Sequence, residues 1–111
     1  MINYFDEINA AVTVCDAEGT ILYMNKRSEK VFEKDGGKDL IGKSLFDCHP
    51  EPALTKVKEL LTNGSTNIYT IEKNGVKKII YQSPWLTESK IGGMVELSIE
   101  LPAEMPHFVR K

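Results

Sequence analysis

The sequence predicts one mixed α/β (α+β) domain with five β-strands, in which the helices are inserted between the second strand and the third. Three observations favour this fold class. Two strand-like runs flank a turn at residues 16–19 and lead directly into a helix. Apolar residues recur with helical spacing over residues 50–61, and Asn74-Gly75 joins two further strand-like runs as a hairpin turn. A chain of 111 residues is long enough to form one such domain with an ordinary core.

The composition excludes several classes of protein. Hydrophobic residues make up 41% of the chain and charged residues 27%, which is typical of a globular domain rather than a disordered chain. The formal net charge is −2, so the charge balance gives no reason to expect nucleic-acid binding. No apolar run reaches the roughly 18 residues of a membrane span, and we see no signal-peptide pattern. The two cysteines have no metal-type spacing, so we expect a reduced, cytoplasmic environment.

The first strand pair and its helix are predicted from local chemistry. Residues 11–15 and 20–24 are rich in strand-forming residues. Between them, Asp16 can accept a hydrogen bond from its own turn, and the Gly that ends the turn supplies a positive φ. Asn25 stands where an N-cap belongs, so a helix should follow and extend to Phe32.

Residues 3–9 are predicted to form a short N-terminal helix. Tyr4, Phe5 and Ile8 fall on one helical face, and Asn3 can cap the first turn. A helix this short is unstable alone. We therefore expect it to pack on the outer face of the sheet or on a partner subunit.

The middle of the chain reads as a loop followed by the longest helix. Residues 33–39 are polar and contain paired glycines. The helix covers residues 50–61, where Pro50 and Pro52 fit the first turn because its N–H groups have no helical acceptor. Gly64 suits a left-handed C-cap, so it ends the helix.

The Asn74-Gly75 turn fixes the register of the hairpin that follows. In this register Ile68 faces Tyr81 on one side of the sheet, and Tyr69 faces Ile80 on the other. Both faces are therefore apolar near the base of the hairpin. We expect each face to be covered, the outer one by the N-terminal helix or by a second subunit.

The last strand is predicted over residues 94–101, after a segment at 82–91 that ends in a polar turn. Apolar and polar residues alternate along it with period two, and Glu96 and Ser98 lie on its polar face. Facing the helices, they would be polar anchors of a small-molecule site, whereas facing outward they would be solvated or lie at a dimer contact. The sequence leaves that choice open. The basic pair Lys77-Lys78 is interpreted as solvated surface.

The element order over residues 11–32 resembles the opening of a PAS domain, a small α/β sensor fold: strand, D-x-x-G turn, strand, Asn and helix. Gly42-Lys43-Ser44-Leu45 resembles the step that precedes the long helix of that family, and the likeness covers about residues 9–101. The resemblance implies a PAS-like five-stranded antiparallel sheet in the order 2-1-5-4-3, with helices packed on one face. The last strand would pair with the first, and residues 102–111 would form a proline-containing tail.

The resemblance also implies a sensory or signalling domain that binds a small ligand or a partner in the cleft between sheet and helices. The signal would pass through dimer or domain contacts, so we expect a homodimer. We expect no enzymatic activity, because the sequence holds no placed nucleophile and base, no phosphate-binding Gly loop and no metal-ligand spacing. The residues predicted to line the cleft are Val14, Tyr23, Phe32, Leu45, His49, Val57, Tyr81 and Glu96.

Two alternatives stay open. One is a ligand-free module with a filled core, which would dimerise through residues 1–9 and the outer sheet face. The other is a haem sensor in which His49 ligates the iron. His49 can equally be a helix-capping or loop residue, so the sequence requires no cofactor. Cys48 lies near a predicted helix start, which favours a thiolate, whereas Cys15 at a strand end is typical of a small buried apolar residue.

Overall fold

The computed structural model describes residues 2–48 and 50–111. Their five strands form one antiparallel sheet in the order β2-β1-β5-β4-β3, which confirms the predicted topology. In chain order the strands and α-helices are β1 (Ala11–Asp16), β2 (Ile21–Met24), α1 (Lys26–Val31), α2 (Ala53–Asn63), β3 (Asn67–Lys73), β4 (Val76–Thr87) and β5 (Lys90–Glu100). Three short 3-10 turns between α1 and α2 cover Glu33–Asp35, Gly37–Leu40 and Leu45–Cys48. Within the described ranges, neither α-helix has the length and apolar character needed to cross a membrane.

The register of the strands decides which side chains share a face. Glu96 of β5 pairs with Thr13 of β1 and with Gln82 of β4, so these three side chains lie on the same side. The Thr13 hydroxyl is hydrogen-bonded to that of Ser28 in α1, which places the helices on that side. We call it the inner face and the opposite side the outer face. Glu96 and Ser98, whose direction the sequence left open, therefore point to the inner face.

The first strand pair and α1 form as their local chemistry predicts. Asp16 Oδ1 accepts from two backbone N–H groups of the turn at 2.9 Å each, and Gly19 has a φ of +86°. Asn25 is the N-cap of α1, because its Oδ1 accepts from the backbone N–H of Ser28 at 2.9 Å. The turn and the cap together fix the angle at which α1 leaves the sheet.

Asn25 also joins segments that are distant in the sequence. Its side chain is fully buried, and its Oδ1 accepts a second hydrogen bond from the Val12 N–H at 2.9 Å. Its Nδ2 donates to the carbonyls of Phe5 and Ala10, both at 2.8 Å. The amide therefore connects β1, α1 and the chain that precedes β1.

The predicted N-terminal helix over residues 3–9 does not form, and a turn takes its place. Asn3 Oδ1 accepts from the Phe5 N–H at 3.0 Å, which closes a local turn instead of capping a helix. The Asp6 carbonyl accepts from the Lys26 N–H at 2.9 Å. These groups bond to a side chain and to the start of α1, so they do not build a helical ladder.

The core lies on the inner face above β2, β1 and β5, where α1, the 3-10 turns and α2 cover the sheet. Its most deeply buried apolar side chains are Cys15, Ile21, Leu45, Val57, Leu60 and Met94. In α2 the buried pair is three residues apart, which is the spacing of one helical face. This half of the inner face is closed.

The hairpin has the predicted register. Asn74 and Gly75 have φ values of +54° and +79°, and Ile68 pairs with Tyr81 while Tyr69 pairs with Ile80. Both residues of the turn thus adopt the left-handed region that an Asn-Gly turn requires.

Two elements differ from their predicted extents. α2 begins at Ala53 rather than at residue 50, because a residue that precedes proline, here the one before Pro52, is disfavoured in helical conformation. β4 continues through Pro84 to Thr87. β3 begins at Asn67, which pairs with Gln82, so Pro84 lies beyond the paired region, at an edge where no N–H donor to β3 is needed.

Trp85 crosses the outer face from β4 over β5. It pairs with Gly93, and its Nε1 donates to the Cys15 carbonyl of β1 at 2.8 Å. A Cβ on Gly93 would lie 1.9 Å from that carbonyl oxygen and 2.7 Å from Trp85 Nε1. The close approach of the three strands at this point therefore requires a glycine.

Candidate functional site

The inner face is open over β3. α2 packs on β4 and β5, and Ile71 of β3 keeps 42% of its surface exposed. Between α2 and the β3–β4 hairpin lie two adjoining cavities of about 720 Å³ and about 450 Å³. Ala53 and Tyr69 line both, so we describe them as the large and small lobes of one inner cleft. Both volumes are in the range of small-molecule sites.

The two lobes differ in what surrounds them. The large lobe lies beside the first turns of α2, and its lining residues are Pro52, Ala53, Thr55, Lys56, Glu59, Asn67, Tyr69 and Gln82. The small lobe extends towards α1 and the centre of the sheet. Apolar side chains form much of its wall, among them Ala11, Val31, Phe32, Ile71 and Ile80. Its polar residues are Thr13, Lys73, Lys78, Glu96 and Ser98.

A row of hydrogen bonds crosses the floor of the cleft from β3 to β5. Asn67 Nδ2 donates to Gln82 Oε1 at 3.0 Å, and Gln82 Nε2 donates to Glu96 Oε2 at 2.7 Å. Gln82 is 1% exposed and Glu96 7% exposed. A buried amide and carboxylate are tolerated because they are hydrogen-bonded, and the carboxylate fixes the orientation of both amides.

Tyr69 stands between the two lobes. Partial burial raises the pKa of its hydroxyl above the usual range, and the negative charge of Glu96 acts in the same direction. The phenol is therefore neutral at physiological pH and can donate a hydrogen bond. The inner cleft thus combines a neutral donor, a buried carboxylate and two amides in a largely apolar lining.

Seven of the eight residues predicted to line the cleft are described by the structure, and they fall into three groups. Phe32 and Glu96 line the small lobe. Leu45 and Val57 lie in the closed core, with 1% and 0% exposure. His49 lies outside the described residues.

The third group lies on the opposite side of the sheet. Val14 pairs with Tyr23 of β2 and belongs to the outer face, because the neighbouring Thr13 points inward. Tyr81 precedes the inward-pointing Gln82 and is also an outer-face residue. These three side chains are therefore separated from the inner cleft by the sheet itself.

The sequence reading did not place Asn67, Gln82 and Lys78 in the site. The alternation of side chains along the hairpin could have identified them. In the register that Asn74-Gly75 fixes, they lie on the same face as Tyr69 and Ile80. The basic pair is predicted to be solvated surface, but of the two only Lys77 is exposed, whereas Lys78 is half-buried and lines the small lobe. Alternation along a strand separates two adjacent lysines in this way.

Cys15 belongs to the core and does not face the cleft. Burial raises the pKa of its thiol to about 11, so the thiolate does not form at neutral pH. This agrees with its interpretation as a small buried residue.

A family model described as the PAS fold matches residues 5–67 of the chain, which is more than half of its length. No curated protein sequence matches the chain.

Solved structures with a similar fold include two parts of histidine kinases. The PAS domain of the histidine kinase ThkA is 17% identical with a TM-score of 0.66, and the alignment covers 83% of this chain and 99% of that one. A sensory box sensor histidine kinase from Vibrio cholerae is also 17% identical with a TM-score of 0.66, with 87% of this chain and 86% of that chain covered.

A third similar structure is VqmA from Vibrio cholerae, solved bound to DPO. It is 15% identical with a TM-score of 0.67, and the alignment covers 89% of this chain and 55% of VqmA. At these identities the likeness establishes a shared fold.

Proposed function

The chain belongs to the PAS fold family, and from that premise we propose that it is a sensory domain that binds a small ligand in the inner cleft. The bound ligand changes how the domain contacts a second copy of itself or a neighbouring signalling domain. The domain works by binding rather than by turnover. A ligand of this kind can shift a conformational equilibrium only by its difference in affinity for the two states.

The observation that supports this function best is the composition of the inner cleft. An apolar lining with a few convergent polar groups is the usual make-up of a small-molecule site. The row from Asn67 through Gln82 to Glu96 supplies such groups on a rigid sheet. The similar structure of VqmA with DPO gives an example of this fold in a ligand-bound protein.

The outer face supports a homodimer as the means of relay. Tyr81 and Ile99 are 36% and 38% exposed there, and Ile68 is 57% exposed. Exposed apolar side chains that share one sheet face are typical of a protein-binding surface. We propose a second copy of the chain as the partner, bound across this face.

Native mass spectrometry and an absorption spectrum of the freshly purified protein test the ligand. We expect a mass above that of the bare chain. Ala53→Trp should remove the extra mass, because the indole would fill the point where both lobes meet. Thr62→Trp, on the exposed side of the same helix, is the control and should keep the ligand.

The bare chain mass in every variant, together with no thermal stabilisation by any member of a small-molecule library, would contradict a ligand sensor. If such a protein were still dimeric, the ligand-free dimerisation module would be the better assignment, since the outer face alone would account for it. A Soret band that His49→Ala removes would instead identify a haem sensor.

A further inference from the structure

The small lobe carries opposite charges at its two ends. Glu96 lies at the end near the centre of the sheet, where it is 7% exposed. Lys78 and Lys73 lie at the other end, beside the hairpin turn, where Lys78 is half-buried and Lys73 exposed. Within residues 2–48 and 50–111, neither lysine forms an ion pair.

The distance between the two ends follows from the sheet register. Glu96 pairs with Gln82, and Gln82 is four residues from Lys78 along β4. At about 3.3 Å per residue, the backbone positions of Gln82 and Lys78 are roughly 13 Å apart along the strand. Glu96 lies beside Gln82, so its separation from Lys78 is similar. A lobe of about 450 Å³ with its charged residues this far apart has room for one compact ring system between them.

The wall between the charged ends is mainly apolar, and Ser98, which pairs with Ile80, is its polar residue. Ile80 and Ile71 lie on the floor between Glu96 and the lysines, and Phe32 lies at the α1 side. An apolar surface of this kind favours a hydrocarbon or aromatic body. The lobe therefore has a charged residue at each end and a mainly apolar surface between them.

From this arrangement we propose that the small lobe binds a compact amphoteric ligand with an apolar body. Its ammonium or other N–H donor group faces Glu96, and its carboxylate or other anionic group faces Lys78 and Lys73. This inference rests on the proposed function, because it specifies the ligand class of the same cleft.

The chemistry at each end supports this orientation. An ionised carboxylate can accept about four hydrogen bonds, so Glu96 can accept one from a ligand in addition to those of its protein partners, Gln82 among them. A cationic donor forms the stronger, charge-assisted kind of bond with a carboxylate in a poorly solvated site. At the open end Glu100 lies opposite Lys78 but is ion-paired with Arg27 at 2.7 Å. The two ammonium groups of Lys73 and Lys78 can therefore attract an anion there.

A set of matched aromatic probes tests the proposal by calorimetric titration of the full chain. The amphoteric probe is 4-(aminomethyl)benzoate. Benzylamine lacks its carboxylate, benzoate lacks its ammonium, and 4-methylbenzyl alcohol is neutral. We expect the amphoteric probe to bind about tenfold or more tightly than each of the other three, because charge-assisted contacts are worth roughly that factor.

Two variants assign the ends of the lobe. Glu96→Gln should weaken the ammonium-bearing probes by about tenfold and leave benzoate unchanged. Lys78→Gln should weaken the carboxylate-bearing probes and leave benzylamine unchanged. Lys77→Gln is the control, because its side chain points to the outer face and should change no affinity. Circular dichroism confirms that each variant is folded.

Equal affinity of all four probes, with binding lost in Ala53→Trp, would overturn the charge assignment and leave the cleft as a ligand site. No binding of 4-(aminomethyl)benzoate up to millimolar concentration would also overturn it. Failure of the proposed function itself is a different result, since it requires that the purified protein carries no ligand and that no library compound stabilises it.

Discussion

The two halves of the inner face differ in how they are covered. Over β1 and β2 the helices and turns close the sheet, and side chains such as Val57 and Leu60 are excluded from water. Over β3 the inner face is open, and Ile71 remains 42% exposed beside the inner cleft. The closed half therefore buries most of the core side chains, whereas the open half leaves apolar surface uncovered.

The largest effect is expected on the outer side of the sheet beneath the closed half, where β1, β5 and β4 approach most closely. Gly93→Ala would place a Cβ 1.9 Å from the Cys15 carbonyl oxygen, so the strands would have to separate. We expect the free energy of unfolding to fall by about 4 kcal/mol or more, with loss of cooperative urea unfolding as the extreme result.

The control for this change is Gly75→Ala. No atom lies within 4 Å of its added Cβ, and only the φ of +79° is unfavourable. It should cost roughly 1–2 kcal/mol. Equal costs for the two variants would contradict the close approach at Gly93.

Asn25→Ala should give the next largest effect. It removes four hydrogen bonds from a fully buried amide and leaves backbone groups of β1 and of the preceding segment without their partners. We expect a loss of about 3 kcal/mol in urea unfolding followed by circular dichroism. Asn63→Ala is the matched control, because Asn63 is exposed and bonds only locally to Ser65, so it should cost less than about 1 kcal/mol.

A pair of apolar truncations compares the two halves directly. Val57→Ala removes fully buried methyl groups and should cost about 2 kcal/mol. Ile71→Ala removes more carbon, but from a side chain that is 42% exposed in the cleft, so we expect less than about 1 kcal/mol. A larger cost at Ile71 than at Val57 would mean that the open half is packed as tightly as the core.

The smallest effect is a loss of stability at alkaline pH that the buried Cys15 thiol causes. Burial raises the pKa of the thiol from its ordinary value near 9 to about 11, so the folded state holds the proton more tightly than the unfolded state. This contribution is complete below pH 9 and is lost as the pH rises through 11, an expected fall of up to about 2 kcal/mol. Unfolding curves from pH 8 to roughly pH 11 measure it against Cys15→Ala, which lacks the thiol. Parallel curves for the two proteins would show that the thiol does not contribute.

The strands, both turns and the caps were predictable because their signals are local. An Asp and a Gly at residues 16–19, Asn25 before a helix and Asn74-Gly75 between two strands each fix the backbone within a few residues. The missing N-terminal helix was not predictable in this way. The groups of Phe5 and Asp6 bond to Asn25 and Lys26, twenty residues further along, and no local pattern describes such contacts.

The site was predicted only in part because the direction of a strand's two faces is set by tertiary packing. Glu96 and Phe32 line the small lobe, whereas Val14, Tyr23 and Tyr81 lie on the outer face. The alternation of side chains along a strand indicates which residues share a face. It does not say which of the two faces packs against the helices. Gln82 lies one residue beyond the Ile68–Tyr81 pair of the predicted register, whereas β4 continues past it because the edge beyond β3 tolerates a proline.

Trp85 gives the protein an intrinsic fluorescence probe at a single position. It is the single tryptophan of the chain, and its indole N–H is held by the Cys15 carbonyl where three strands meet on the outer face. Tryptophan fluorescence therefore originates from one known position and environment. A red shift reports separation of the strands, and a change in quenching on concentration reports coverage of the outer face, so folding and self-association can be followed without an added label.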